Sequence, residues 1–203
     1  RISSQNSTLI EAFLNGAAST TGVITSLNNT TLVQKGAGYT YFGNHSVGRD
    51  LSLEFDTKQG YKSISAAIVG GNMTVHVSAD GTPNTNSNQT EIGRPVKHFG
   101  APSGSSPSDH FINVAGNYDV TISDHSSSGK TNLYLNHTYV GNDFSLGYSA
   151  TSVAIASADM INLNSVTVSG DASLKFEGAS VQLSVTAFSV AGDLTLDLSS
   201  ATV

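Results

Sequence analysis

The chain has 203 residues, 9 basic against 15 acidic, with a formal charge of −6 and only 12% charged residues, about half the usual share. Polarity comes instead from 31 Ser, 20 Thr and 16 Asn, and this balance argues against a basic nucleic-acid-binding surface. The absence of Cys removes thiolate metal sites and thiol nucleophiles; a cytosolic chain can lack Cys by chance, and in a secreted one its absence fits a large bacterial exoprotein that does not rely on disulfides. No apolar run reaches the 18 residues of a membrane-spanning helix.

The chain opens RISSQNST, without Met, which reads as a processed or excised piece. Residues 1–40 are the least regular and read as an irregular N-terminal coil or cap. Leu9, Ile10, Phe13 and Leu14 leave strand and short helix both open, and NNTTLVQKGAG at 28–38 resembles a coil edge. From residue 41 a degenerate motif recurs: VGRDLSLEF at 47–55, VGGNMTVHV at 69–77, VAGNYDVTI at 114–122, VGNDFSLGY at 140–148, VSGDASLKF at 168–176 and VAGDLTLDL at 190–198. The glycine before Asn, Asp or Arg marks each copy at Gly48, Gly71, Gly116, Gly141, Gly170 and Gly192, at spacings of 23, 45, 25, 29 and 22 residues. The 45 is close to twice 22, so a rung is hidden there or replaced by an insertion. Residues 81–110, which hold all four prolines, read as an insertion or long loop in a repeat region spanning 41–203.

Each motif predicts a turn followed by a strand. Gly accepts positive φ and the short polar side chain bonds to nearby backbone, after which apolar and hydroxyl residues alternate, as in Leu194, Leu196 and Leu198 against Thr195 and Asp197. One such unit cannot bury its own apolar stripe, but stacked units cover one another. The fold class is therefore all-β, a parallel β-solenoid (β-helix) of about 22–25-residue coils, with an antiparallel β-sandwich as the alternative. Ala154, Ala156, Ala158, Ala172, Ala179, Ala187 and Ala191 suit a narrow interior, and the strong strand before Thr202-Val203 leads us to expect further chain or a partner beyond it.

Candidate sites are sparse. His45, His76, His98, His110, His125 and His137 are scattered, and the pairs Asp109-His110 and Asp124-His125 lack the clustering of a metal or catalytic centre. The most charged stretch, RDLSLEFDTKQGYK at 49–62, places Asp50, Ser52, Glu54 and Asp56 in one alternating row. Glu91 completes the acidic candidates, and Arg49, Lys58, Lys62, Arg94 and Lys97 are the possible basic partners. A solvated strand face is the simpler account, and no catalytic residue is assigned. Corner residues Asp50, Asn117, Asn142, Asp143, Asp171 and Asp193 carry calcium-ligand chemistry, yet the GGxGxDxUx nonapeptide is absent and turn bonding explains them better. No cofactor is expected, and the metal question stays open. Asn-x-Ser/Thr sequons stand at Asn6, Asn28, Asn29, Asn44, Asn72, Asn88 and Asn136. Equivalent strand positions read Ser52, Thr74, Thr121, Ser145, Ser173 and Thr195, all hydroxyl residues.

Val-Gly-Asn/Asp turns leading into T-L-x-L strands, without Cys and rich in Ser, Thr and Asn, resemble over roughly 44–203 the β-solenoid regions of large bacterial surface proteins. These are autotransporter passengers, filamentous-haemagglutinin-like adhesins and S-layer proteins. The resemblance implies export to the bacterial outer surface and a non-enzymatic adhesin module acting as rigid stalk and contact surface. Its partners would be host or neighbouring cells, glycans or copies of itself. A self-assembling S-layer or matrix protein is the alternative, followed by a polysaccharide-degrading β-helix enzyme. No catalytic residue carries over from these families.

Overall fold

The structure, a computed structural model, describes residues 2–4, 8–13, 19–22, 24–35, 39–42, 45–56, 60–64, 67–79, 88–92, 111–124, 131–150 and 159–202. In chain order the strands come in threes, one for each face of a triangular coil. The first coil is β1 (Ile2–Ser4), β2 (Thr8–Phe13) and β3 (Ser19–Gly22). The second is β4 (Ile24–Ser26), β5 (Thr30–Lys35) and β6 (Tyr39–Phe42). The third is β7 (His45–Val47), β8 (Leu51–Asp56) and β9 (Gly60–Ile64), and the fourth β10 (Ala67–Val69), β11 (Met73–Ala79) and β12 (Asn88–Ile92).

After β13 (Ile112–Val114) and β14 (Tyr118–Asp124) the strands fuse. β15 (Thr131–Val140) and β17 (Asp159–Val168) run from the third face into the first, with β16 (Phe144–Ala150) between them. β18 (Ala172–Val190) covers all three faces, and β19 (Leu194–Thr202) lies on the second. The fused strands turn on left-handed residues stacked above one another, His137 (φ 47°), Ser165 (φ 56°) and Ala187 (φ 53°), while Gly178 (φ 95°) turns the other corner of β18.

The pairings among these strands are parallel and connect equivalent positions of successive coils. The second face runs β2–β5–β8–β11–β14–β16–β18–β19 without a break. This is the parallel β-solenoid, and the antiparallel sandwich is set aside. The described strands that begin within residues 1–40, the segment set apart as an irregular coil or cap, continue the same three sheets, and the stretch open to helix is strand β2. The 45-residue interval is one long coil, because β11 pairs directly with β14 and β12 lies between β9 and β15. Its extra residues fall on either side of β12; of the predicted 81–110 insertion, only 88–92 belongs to the described residues.

Stacking converts each inward position into a column. The second face contributes Leu51–Met73–Tyr118–Phe144–Ala172, then Leu32–Leu53–Val75–Val120–Leu146–Leu174, then Phe55–Val77–Ile122–Tyr148–Phe176, all buried. Tyr118 and Phe144 lie 5.6 Å apart between ring centroids, and Tyr148 and Phe176 6.3 Å, within the range of favourable tilted ring pairs. The interior is thus filled by large aliphatic and aromatic side chains. Of the alanines expected to line it, Ala172 is buried, whereas Ala187 and Ala191 are exposed at corners; Ala154, Ala156 and Ala158 lie outside the described residues.

The corner between first and second faces is a three-residue turn whose third member is Asn or Asp. The backbone N–H of each such residue donates to the side-chain oxygen of its counterpart one coil earlier. The chain of bonds runs from Asp50 to Asn29 (3.3 Å), Asn72 to Asp50 (2.8 Å), Asn117 to Asn72 (2.9 Å), Asp143 to Asn117 (3.3 Å), Asp171 to Asp143 (2.9 Å) and Asp193 to Asp171 (2.8 Å). The carbonyls of Asp50, Asn72, Asn117, Asp143, Asp171 and Asp193 accept from the N–H that opens the preceding coil's strand. Corner oxygens thus bond to turn backbone, as the sequence reading favours.

Glycine is needed here for space and not for positive φ, which correctly replaces the expectation above: among the described glycines only Gly178 has one. A Cβ on the second turn residue would sit 2.4 Å from Asp50 Oδ1 at Gly71, and 2.4 Å from Asn72 Oδ1 at Gly116. Where that residue is glycine (Gly71, Gly116, Gly170, Gly192) the ladder bonds measure 2.8–2.9 Å. Where it is Arg49 or Asn142 they lengthen to 3.3 Å, and the first turn residue, Gly48 or Gly141, is glycine instead. Gly170→Ala should therefore lower the urea midpoint by the equivalent of about 1–3 kcal/mol without changing the slope. Gly147→Ala, whose Cβ meets nothing within 4 Å, should leave it nearly unmoved. Equal midpoints for the two variants would contradict this account of the corner.

Candidate functional site

Register assigns every outward residue to a column. On the second face the first column reads Thr31–Ser52–Thr74–Asp119–Ser145–Ser173–Thr195, and the next, in register with the buried Val33, reads Glu54–His76–Thr121–Gly147–Lys175–Asp197. Thr121 therefore leaves the hydroxyl column expected for it, and Asp119 takes its place, accepting a hydrogen bond from the Ser145 hydroxyl. From Thr31 to Thr195 the column is otherwise hydroxyl. Lys175 and Glu177 form an exposed ion pair at 2.6 Å, worth little in water.

The carboxylate row expected at 50–56 does not assemble as one face. Asp50 belongs to the corner, with its oxygen turned along the stack to the Asn72 N–H, while Ser52 and Glu54 remain on the outer face beside Thr74 and His76. Asp56, Lys62 and Glu91 lie on described strands, but their side chains are outside the described set. Lys58, Arg94, Lys97, His98, Asp109, His110 and His125 lie outside the described residues altogether. Arg49 is exposed in its turn. Among the described residues no group of three or more His, Asp or Glu is placed to hold a metal ion.

Of the described histidines, His76 and His137 are exposed and His45 is buried. His45 points inward in the column of Ile24 and Ala67, where its Nδ1 accepts the Ile24 N–H at 3.2 Å. Burial lowers its pKa from 6.5 to about 4. Sequon Asn136 is buried, stacked on Asn164, whereas Asn29 and Asn72 are exposed and use their side-chain oxygens in the corner ladder.

The first face carries a single outward column among the described side chains: Thr25–Ser46–Ile68–Asn113–Tyr139–Thr167–Ser189, with no charged side chain. Ile68 is 50% exposed and Tyr139 46%, and the Tyr139 hydroxyl meets the Ser169 hydroxyl at 3.0 Å. Sequence reasoning did not single out this column. Its signal is the middle residue of the three preceding each corner turn, in HSV, AIV, INV, TYV, VTV and FSV.

No protein-family model, curated protein or solved structure matches the chain. Among the described residues no helix is long and apolar enough to cross a membrane.

Two predictions concern buried polar groups. Because the folded pKa of His45 lies below its unfolded value, its neutral form contributes fully above about pH 6.5. That contribution is lost as pH falls through 6.5 towards 4, up to about 3 kcal/mol. His45→Asn, which keeps a side-chain acceptor, should flatten the fall in urea midpoint between pH 7 and 4.5; parallel profiles would contradict this. The Tyr118 hydroxyl is buried without a partner among the described residues, and burial pushes its pKa up. Tyr118→Phe should raise stability by about 1 kcal/mol in the same measurement.

Proposed function

We propose that the chain is a non-enzymatic extracellular module of a bacterial surface adhesin, serving as a rigid stalk and a contact surface for cells or glycans. The observation that carries this reading is the continuous parallel pairing of the second face from β2 to β19, in constant register as far as β18 and bulged only after Lys175 in the last pair. Seven strand-to-strand steps of about 4.8 Å give a length of roughly 34 Å, in which each coil is bonded to the next along its strands and at its corner. Such a stack transmits load along its axis through backbone hydrogen bonds and presents fixed rows of hydroxyl groups sideways. Those rows offer donors and acceptors without the desolvation cost of buried charges. The placement outside the cell rests on composition, the absence of Cys and the resemblance noted above.

The test is adherence of beads coated with the purified chain to cells and to a panel of insoluble polysaccharides, with reducing ends assayed in the supernatant. Retention without new reducing ends is the expected result. Accumulating cleavage products would replace this reading with the polysaccharide-degrading one, and beads that adhere to nothing would remove the contact-surface role.

A further inference from the structure

We propose that the uncharged first face is a binding site for a neutral glycan chain, with Tyr139 and Ile68 as its apolar contacts; this deepens the contact-surface reading and rests on it. The argument starts from charge. The second face mixes Glu54, His76, Asp119, Lys175, Glu177 and Asp197 among its outward residues, whereas the column from Thr25 to Ser189 has none that ionises near neutral pH. A charged partner finds no counter-charge on the first face, while a polyhydroxylated neutral one meets hydroxyl and amide groups that need no ion desolvated.

Shape gives the second part. Tyr139 is tethered through its oxygen to Ser169 on the following coil, which fixes the side chain while leaving the residue nearly half exposed. An aromatic ring held at a surface with its polar end satisfied is a platform for the apolar C–H face of a pyranose. The neighbouring turn positions are small: Gly70 beside Ile68, Ala115 beside Asn113 and Gly141 beside Tyr139, so nothing bulky flanks the ring on that side. Phe111 at 40% exposure and His137 border the column on the other side. Ile68 and Tyr139 stand two rungs apart with Asn113 between them, a separation of about 10 Å. That is the span of a disaccharide unit, with an amide placed between its two apolar contacts. A chain lying along the stack would then meet Thr167 and Ser189 beyond Tyr139, and Ser46 and Thr25 beyond Ile68.

The experiment is native electrophoresis through gels containing soluble neutral glucan or mannan, with polygalacturonate as the charged comparison. The wild-type chain should be retarded by a neutral glycan and not by polygalacturonate. Tyr139→Ala should weaken retardation at least tenfold, Ile68→Ser several-fold, and Thr74→Ala on the second face not at all. Tyr139→Phe, which keeps the ring, should retain most of the effect and so separates loss of the platform from loss of fold; equal melting temperatures confirm that separation. Unchanged retardation of Tyr139→Ala, retardation by polygalacturonate alone, or none by any neutral glycan would overturn the site. The last of these leaves the stalk reading standing, whereas reducing ends released from the gel glycan would overturn the contact-surface reading itself.

Discussion

The rest of the structure depends on the hydrogen bond from a corner N–H to the side-chain oxygen of the Asn or Asp one coil earlier. Parallel strands slide easily in register wherever side chains on both faces are interchangeable, and a slip of one residue sends every inward side chain outward. The strands of the first face are short, only three residues in Ile24–Ser26, His45–Val47, Ala67–Val69 and Ile112–Val114, so they supply little register information themselves. The corner supplies it. Asn29, Asp50, Asn72, Asn117, Asp143, Asp171 and Asp193 form one chain of bonds along the stack, and each from Asp50 onward also accepts through its backbone carbonyl. With this point pinned, the residues that follow fall into the same inward and outward phase in every coil.

Much of this was legible because the pinning residues are chemically restricted. An oxygen acceptor on a short side chain means Asn or Asp, and these letters recur together with the Leu-x-Leu alternation that the interior requires. The glycines were a poorer guide. Relief of the close contact with the preceding coil is met by glycine at either the first or the second turn position, so marking copies by glycine mixed Gly48 and Gly141 with Gly71, Gly116, Gly170 and Gly192. The intervals then read 23, 25 and 29 where the ladder has 22, 26 and 28. The corner at Leu27-Asn28-Asn29 escaped the motif because it has no glycine, although Asn29 bonds Asp50 as the other copies do. The same uncertainty of phase placed Thr121 in the hydroxyl column that Asp119 occupies.

The carboxylate row failed for a related reason. Alternation places Asp50, Ser52, Glu54 and Asp56 on one side of a strand, but the alternation begins only at Leu51, after the corner. Asp50 is a turn residue whose direction is set by the Asn72 N–H and not by the pleat. His45 shows the converse. Its neighbours in sequence are polar, yet its phase relative to Val47 makes it an inward residue, and the desolvation that follows decides its charge.

A stack of this kind divides its positions by how much they are free to vary. Inward positions must fill a column whose neighbours above and below are already fixed, which explains why Leu53, Val75, Val120, Leu146 and Leu174 differ so little in character. Corner positions must provide an oxygen and, in every described turn from Gly48 onward, a glycine. Outward positions answer to neither demand, so a consistent character along an outward column needs another cause. On the second face one column lacks such consistency, since Glu54, His76, Thr121, Gly147, Lys175 and Asp197 succeed one another in it, while its neighbour is hydroxyl from Thr31 to Thr195 except at Asp119. The first face keeps one property over the seven described coils from Thr25 to Ser189, the absence of charge, while varying between hydroxyl, amide, aliphatic and aromatic groups. Packing does not require that restraint, because these side chains face outward. The neutral partner proposed above would give these positions a shared demand, and the exposed Tyr139 and Ile68 stand in the same column, which is why the contact surface is proposed there.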